Sequence, residues 1–270
     1  MNILINGINL YYEEYGSGIP VLCLHGFYVD SHLMKGCLEP VFESKIGYKR
    51  IYLDLVGMGK TPSHKSVINS DDMLKIVNAF INKIIGDASF ILFGESYGGY
   101  LSLGLVKALK DKILGLFLIC PCTIGDKERR NLPPKQIVKQ ESFAVNTVDK
   151  NNYSSFLKMA VIANQYTWNR YKKEILVGIN NADVPYLDFI YSNGYALSCE
   201  SEFCLIEFNN PTTILLGKQD HIVGYKDALR LESNFSRSSF AIIDSTGHNM
   251  QIEKPELFSG FVEEFLRNFS

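Results

Sequence analysis

The sequence predicts an α/β fold with a mostly parallel, doubly wound sheet, and three observations support this prediction. Short, nearly continuous apolar runs recur along the chain, as expected of strands that are buried on both faces. Segments of helical periodicity separate these runs, so strand and helix alternate. With 270 residues, 46% of them hydrophobic, the chain can form one large core and an inserted subdomain.

An antiparallel hairpin is the first predicted element and should form an edge of the sheet. Apolar residues alternate with others from Ile3 to Tyr12, with a break at Gly7. Alternation of this kind is typical of strands with one buried face. We expect the Gly-Ser-Gly turn at residues 16–18 to close the hairpin.

Six short apolar runs follow and are the predicted buried strands: residues 21–24, 50–53, 90–93, 113–119, 213–216 and 240–243. The clearest helical segments between them are residues 71–85 and 97–109. A last helix is predicted after Pro255, because its apolar residues recur at spacings of one and three and form a single stripe. The residues of this stripe are Leu257, Phe258, Phe261, Val262, Phe265, Leu266 and Phe269.

Between Pro121 and Pro211 the strand pattern stops, and we interpret this stretch as a helical insertion. A helix-compatible pattern runs from Tyr153 to Trp168. The insertion also carries many other aromatic residues, namely Phe143, Tyr166, Tyr171, Tyr186, Phe189, Tyr191 and Tyr195. These rings suit either the wall of a ligand pocket or a small core of the insertion itself.

Charge, hydropathy and cysteine usage restrict the class of protein. A net charge of -2 gives no basic surface for nucleic acid. No apolar run approaches the roughly 20 residues that span a bilayer, and the N-terminus lacks the features of a signal peptide. The six cysteines are scattered, so we interpret them as free thiols of a cytoplasmic protein, and Cys120 and Cys122 lack the partners of a zinc site.

Residues 94–98 read Gly-Glu-Ser-Tyr-Gly and match the nucleophile elbow Gly-x-Ser-x-Gly. Such an elbow is a sharp turn from strand to helix that exposes the serine hydroxyl, and it needs flanking residues without a Cβ. The pattern arises by chance in roughly one chain in ten of this size. Here it follows a predicted strand and precedes a predicted helix, which favours Ser96 as a nucleophile.

Several motifs in the same order make the chain resemble the α/β-hydrolase superfamily over nearly its full length. The His-Gly-Phe turn at residues 25–27 matches the family's His-Gly-x turn, and residues 54–61 match its Asp-x-x-Gly-x-Gly-x-Ser/Thr loop, which is structural. The resemblance implies a mostly parallel eight-stranded sheet flanked by helices, with a helical cap inserted after strand 6. The core would then comprise residues 1–122 and 211–270, and the cap residues 123–210.

The same resemblance implies the positions of a catalytic triad and an oxyanion hole. Asp220 ends a Gly-x-x-Asp turn, and His248 lies between the last strand and the last helix, so the chain order is Ser, Asp, His. The imidazole would remove the serine proton, and the carboxylate would fix its tautomer. The backbone N–H groups of Phe27 and Tyr97 would stabilise the oxyanion.

Side chains near these motifs are the expected substrate contacts and the competing candidates. The expected contacts are Phe27, Tyr28, Tyr97 and His221. Asp244 is an alternative acid, but it lies at the end of the strand that precedes the histidine. The other histidines, His32, His64 and His221, lie outside the last strand–helix junction. Glu95 is expected either to orient groups or line the pocket, or to modulate His248.

The first functional prediction is a carboxylesterase that forms an acyl-enzyme on Ser96, with lactonases, thioesterases and C–C bond hydrolases as close relatives. Serine at this position disfavours the dehalogenase and epoxide hydrolase branches, which carry aspartate. A proline iminopeptidase is an alternative if Glu200, Glu202 and Glu207 bind the substrate amine instead of facing solvent. A second alternative function is a ligand-binding receptor that retains the triad.

The predicted partner is therefore a small-molecule acyl substrate. Nucleic acid and membrane insertion are not expected, nor is any metal or cofactor. The sequence specifies no oligomeric state.

Overall fold

The computed structural model describes residues 1–269, and its main element is the predicted eight-stranded, mostly parallel sheet. Counting a separate two-stranded ladder, the strands are β1 (Asn2–Ile5), β2 (Ile8–Tyr15), β3 (Ile19–Leu24), β4 (Tyr48–Leu53), β5 (Phe90–Glu95), β6 (Ile113–Ile119), β7 (Lys139–Gln140), β8 (Ile162–Ala163), β9 (Thr212–Gly217) and β10 (Ser238–Ile243). The large sheet has the order β1-β2-β4-β3-β5-β6-β9-β10.

Ten α-helices accompany these strands in the described residues. They are α1 (Ser31–Phe42), α2 (Ser70–Ile84), α3 (Tyr97–Leu109), α4 (Lys150–Met159), α5 (Gln165–Tyr171), α6 (Val177–Asn181), α7 (Val184–Asn193), α8 (Lys226–Leu229), α9 (Met250–Glu253) and α10 (Pro255–Leu266). No helix within residues 1–269 is long and apolar enough to cross a bilayer.

The edge hairpin differs from the prediction in the position of its turn. The strands β1 and β2 pair with each other across Asn6 and Gly7, which have φ angles of 50° and 81°. Two successive left-handed residues form the tight turn that suits the twist of a hairpin. The predicted closure at residues 16–18 is wrong, because β2 pairs antiparallel with β4 and this turn leads into β3 on the far side of β4.

Six strands of the large sheet, β3, β4, β5, β6, β9 and β10, are parallel, so their carboxyl ends meet at one edge of the sheet. Helices α1 and α10 cover one face, where Met34 and Phe42 share a core with Phe258 and Phe265. Helices α2 and α3 pack into the core on the other face. Of the predicted stripe, Phe258, Val262, Phe265 and Leu266 are buried, Phe261 and Phe269 are partly buried, and Leu257 is 43% exposed.

The stretch predicted to be the insertion, residues 123–210, contains helices α4 to α7 and the short parallel ladder of β7 and β8. The predicted helical run from Tyr153 to Trp168 is interrupted, since α4 ends at Met159 and α5 begins only at Gln165. The cause is Asn164, whose side chain accepts a hydrogen bond from the Thr167 N–H and so caps α5.

Two groups of aromatic residues within residues 123–210 form buried or ring-to-ring contacts, whereas Tyr166 and Phe189 are exposed. The rings of Tyr153, Phe156, Trp168 and Tyr171 pack against one another and against Val29 and Leu33 of the sheet domain. A second group, Tyr191 and Tyr195, contacts Phe27 instead. The first group therefore forms a core between insertion and sheet, and the second lies near the predicted oxyanion turn.

Candidate active site

Ser96 lies at the junction of β5 and α3, with a φ of 51° and a ψ of -111°. This strained conformation is maintained by close packing of the two flanking glycines. A Cβ at Gly98 would collide with the carbonyl oxygen of Leu24, and one at Gly94 would lie 2.7 Å from the carbonyl oxygen of Gly98. The residue types at the elbow are thus fixed by backbone contacts with the end of β3.

A continuous hydrogen-bonded chain joins Ser96, His248 and Asp220. His248 Nε2 lies 2.8 Å from Ser96 Oγ, and Nδ1 lies 2.8 Å from Asp220 Oδ2. The other Asp220 oxygen, Oδ1, accepts hydrogen bonds from the backbone N–H groups of Ile222 at 2.9 Å and Val223 at 3.1 Å. The three predicted triad residues are therefore brought together at the carboxyl ends of β5, β9 and β10.

The electrostatics of this chain favour an ionised acid next to a basic imidazole. Burial acts to raise the pKa of Asp220, but the charge and hydrogen bond of His248 outweigh it and lower that pKa. Burial acts to lower the pKa of His248, yet the Asp220 carboxylate outweighs it and raises the pKa to about 9. In the neutral imidazole, Nδ1–H donates to Asp220 and Nε2 accepts from the serine hydroxyl.

Glu95 places a second carboxyl group beside the same imidazole. Its Oε1 lies 3.6 Å from His248 Nε2, and its side chain is buried. Its Oε2 accepts no hydrogen bond from any described group. Burial raises the pKa of Glu95 to about 7, against the opposing effect of His248 and with a further rise from Asp220. Glu95 also belongs to the cavity wall, so its position fits a pocket residue as well as an influence on His248.

The turn that carries Phe27 lies against the elbow. A Cβ built on Gly26 would lie 3.3 Å from Ser96 Cβ, so the N–H of Phe27 and that of Tyr97 belong to segments on either side of the serine. His25 holds this turn in place, because its Nε2 accepts from the Leu55 N–H at 3.0 Å while Nδ1 lies 2.7 Å from the Gly26 carbonyl oxygen. Burial lowers the pKa of His25, which favours the neutral ring.

The competing candidates lie elsewhere. Asp54 accepts hydrogen bonds from the backbone N–H groups of Ser31 and Lys60, at 3.0 and 2.9 Å, which is a structural role. Asp244 is exposed and accepts a hydrogen bond from Gln219. His32 Nδ1 lies 2.8 Å from Asp30, and His64 Nδ1 lies 2.8 Å from the Ser66 hydroxyl. None of these side chains contacts Ser96.

Ser96 and His248 open into a cavity of about 300 Å³ whose walls are mostly apolar. The sheet domain contributes Phe27, Tyr28 and Leu33, and the insertion contributes Ile175, Tyr191 and Tyr195. Small-molecule sites are usually concave and lined in this way. A ligand here would lie directly against the serine hydroxyl.

Two of the predicted substrate contacts do not line this cavity. The Tyr97 side chain is fully buried, and its hydroxyl lies 2.8 Å from Ser70 Oγ, so only its backbone remains next to the site. His221 is partly buried outside the lining, whereas the next two residues, Ile222 and Val223, belong to it. Phe27 and Tyr28 are in the lining, as expected.

The three glutamates named as possible partners of a substrate amine, Glu200, Glu202 and Glu207, are also absent from the cavity wall. Glu200 accepts hydrogen bonds from the Tyr100 hydroxyl and the Gly125 N–H. Glu202 pairs with Lys107 at 2.9 Å, and Glu207 lies in a separate surface depression. Within residues 1–269 there is also no group of three or more His, Cys, Asp or Glu side chains able to hold a metal ion.

Two functional candidates were not predicted. Arg130 lines the cavity, and Glu253 accepts a hydrogen bond from the N–H of Gly247, the residue before His248. Neither belongs to a local motif. In the sequence, each is simply a charged residue near apolar residues or near a motif. Charged residues in such positions are too common to identify a site.

Comparison with known proteins gives a consistent family assignment with several different activities. A family model described as the alpha/beta hydrolase fold matches residues 19–255. An alpha/beta superfamily hydrolase structure from Oenococcus oeni PSU-1 is 33% identical, with a TM-score of 0.91 over 99% of this chain and 98% of that one.

Two curated relatives are more distant. Monoacylglycerol lipase ABHD6 of Bos taurus is 22% identical over 91% of this chain and 74% of that protein. Proline iminopeptidase of Saccharolobus solfataricus is 24% identical over 97% of this chain and 90% of that protein. Because relatives of similar distance bear names of different activities, the substrate has to be argued from this chain's own site.

Proposed function

Because the chain belongs to the α/β-hydrolase family, we propose that it is a serine hydrolase that cleaves small carboxylic esters through an acyl-enzyme on Ser96. The observation that carries the proposal is the hydrogen-bonded chain from Ser96 through His248 to Asp220 at the wall of an apolar cavity. A serine hydroxyl becomes nucleophilic when a neutral imidazole within hydrogen-bond reach accepts its proton.

The reaction follows from this geometry in two halves. His248 Nε2 takes the proton of Ser96 as Oγ attacks the ester carbonyl, and Asp220 stabilises the resulting imidazolium through Nδ1–H. The backbone N–H groups of Phe27 and Tyr97 stabilise the oxyanion. The imidazolium then gives its proton to the departing alcohol, and His248 activates a water that hydrolyses the acyl-enzyme.

We also propose that residues 123–210 act as a cap on a catalytic core formed by residues 1–122 and 211–270. The cavity supports this division, since Tyr171, Ile175, Ile179, Tyr191 and Tyr195 of the insertion face the serine across it. Such a cover shields the site from bulk solvent and selects substrates by shape.

The aminopeptidase alternative lacks support from the cavity. It needs a carboxylate near the serine to hold the substrate ammonium, and the three candidates from the insertion face elsewhere. Glu95 does line the cavity, but its carboxyl is buried beside His248 and its pKa is raised to about 7 by burial, which disfavours the anion. An ester, which brings no positive charge, fits this site better.

The test is ester hydrolysis with and without the serine. We expect the wild-type protein to hydrolyse p-nitrophenyl butyrate and to be labelled by a fluorophosphonate probe. Ser96→Ala should lower kcat by roughly 10³-fold or more and abolish labelling, because the nucleophile is gone.

Ser102→Ala serves as the matched control for loss of a buried hydroxyl in the same helix. Ser102 Oγ donates to the Gly98 carbonyl oxygen and does not line the cavity, so labelling should persist. A wild-type protein that is neither labelled nor active on any ester, lactone or thioester would contradict the proposed function. Tight binding of an ester without turnover would favour the receptor alternative.

A further inference from the structure

Arg130 is the only lysine or arginine in the described wall of the catalytic cavity. The rest of the wall is largely apolar and includes Tyr191, Tyr195, Ile222 and Val223 around it. The Arg130 guanidinium lies 5.7 Å from the centre of the Tyr195 ring. A fixed positive charge therefore faces the space in which the proposed substrate would bind.

Neutral backbone groups hold this guanidinium in place. Its Nε donates to the Ile124 carbonyl oxygen at 2.8 Å, Nη2 to that of Gly125 at 3.1 Å, and Nη1 to that of Ile222 at 3.1 Å. Two distant segments supply these acceptors. Ile222 lies two residues after Asp220, and Ile124 and Gly125 lie at the start of residues 123–210. The group is thereby oriented without any loss of its charge.

No carboxylate of residues 1–269 forms an ion pair with Arg130. Glu200 contacts Gly125, whose carbonyl oxygen binds Arg130, but its carboxylate accepts from the Gly125 N–H and the Tyr100 hydroxyl. Glu95, the carboxylate in the described cavity wall, lies beside His248. A partly buried cation without a counter-charge is costly to a folded protein, and an anion that enters the cavity would remove that cost.

We propose that Arg130 binds a carboxylate carried by the substrate, so that the ester cleaved at Ser96 is one with a free carboxylate, such as a monoester of a dicarboxylic acid. This proposal rests on the proposed function. A planar guanidinium matches a carboxylate with two parallel hydrogen bonds. A cavity of about 300 Å³ suits a short chain between the carboxylate and the ester group.

The test compares charged esters with uncharged isosteres in two arms. In the first, the acyl part carries the charge, with p-nitrophenyl hydrogen adipate set against p-nitrophenyl adipamate. In the second, the leaving group carries it, with p-carboxyphenyl butyrate set against p-carbamoylphenyl butyrate. We expect wild-type kcat/KM to favour the anion by about tenfold or more in one arm, as hydrogen bonds to a charged group allow.

The variants ask whether Arg130 causes that preference. Arg130→Gln should bring the ratio of anionic to neutral kcat/KM close to one, and Arg130→Lys should leave an intermediate ratio because an ammonium cannot bind two oxygens in parallel. Arg129→Gln, which changes an exposed arginine one residue away, should keep the wild-type ratio.

Three outcomes separate this proposal from the one it rests on. Wild-type ratios of one or below in both arms, with Ser96-dependent cleavage of the neutral esters, would overturn the role of Arg130 and leave the hydrolase intact. An unchanged ratio in Arg130→Gln would do the same. No cleavage or labelling at all would refute the hydrolase itself. If Arg130→Gln does not fold, the wild-type ratios and Arg130→Lys decide the question.

Discussion

Glu95 gives the candidate site an unusual charge balance, with two carboxyl groups around one imidazole. Asp220 holds Nδ1 and Glu95 approaches Nε2, the nitrogen that must accept the serine proton. An ionised carboxylate at that position stabilises the imidazolium and so keeps the base in its inactive form. The pKa of His248, raised to about 9, predicts that activity increases from neutral to alkaline pH.

The first prediction concerns this carboxylate. In Glu95→Gln the negative charge near Nε2 is lost, so the imidazolium is less stable and the pKa of His248 falls. The acid limb of the kcat/KM profile against pH should move to lower pH by roughly one unit, as for an opposite charge within a few ångströms. The measurement is kcat/KM for p-nitrophenyl butyrate from pH 5 to 10, in parallel for wild type and variant.

Asp244→Asn provides the control. It removes a carboxylate that precedes His248 in the chain but is exposed, so the profile should stay where it is in the wild type. If Glu95→Gln lowers kcat/KM by the same factor at every pH, Glu95 has a purely structural role. Loss of activity in Asp244→Asn would instead question the assignment of Asp220 as the acid.

How far the site was predictable depends on whether a residue belongs to a local motif. Ser96 and His248 could be placed because each follows a recognisable strand and the ends of parallel strands meet. Arg130 could not, because its role depends on carbonyl oxygens about a hundred positions apart in the chain, at Ile222 and at Ile124. No periodicity or spacing in the sequence predicts that these two distant carbonyl oxygens lie next to the same side chain.

At the level of single elements, the elbow depends on glycine for packing as much as for turning. Gly98 lies in the first turn of α3, where alanine would normally stabilise a helix. Its missing side chain is instead what allows α3 to approach the carbonyl oxygens of Leu24 and His25. The same substitution should therefore have opposite effects at two helical glycines of this chain.

The second prediction uses this contrast. Gly98→Ala should lower the free energy of unfolding by several kcal/mol and abolish fluorophosphonate labelling, since the atoms that block the new methyl group belong to backbone and cannot move aside. Gly260→Ala in α10 should raise it by about 0.5 to 1 kcal/mol, because no atom lies within 4 Å of the added Cβ. Urea unfolding of both variants provides the measurement, and equal midpoints would contradict the packing argument.

The elements that differ from the sequence prediction do so because local capping and turn residues outweigh periodicity. Asn6 and Gly7 form the hairpin turn through their left-handed backbones, although an apolar alternation runs through them. Asn164 begins a new helix in the middle of an apolar pattern that continues to Trp168. Asn-Gly is a typical turn sequence and asparagine is a typical helix cap, so the sequence does contain the local signals. The prediction gave more weight to the longer apolar pattern around them.

At the scale of the whole molecule, one buried carboxylate joins the insertion to the histidine loop. Glu253 Oε2 accepts from the Gly247 N–H at 2.6 Å, and Oε1 accepts from the N–H groups of Val161 at 2.6 Å and Ile162 at 3.1 Å. Burial raises the pKa of Glu253, and these three N–H donors act against that rise. The position of His248 is thereby coupled to the segment that precedes α5.

The final prediction is that breaking this link loosens the insertion and weakens catalysis together. Glu253→Gln replaces one accepting oxygen by an amide that cannot accept, leaving at least one buried N–H without a partner, so the free energy of unfolding should fall by about 1 to 3 kcal/mol. Hydrogen exchange at Val161 and Ile162 should accelerate while the capped Thr167 N–H stays protected, and kcat should fall because Gly247 adjoins the base.

Glu263→Gln, on the exposed side of α10, should change none of these quantities. If Glu253→Gln unfolds at the wild-type urea concentration with unchanged exchange at Val161, the insertion and the histidine loop are held together by their apolar contacts, and the carboxylate is not the link between them.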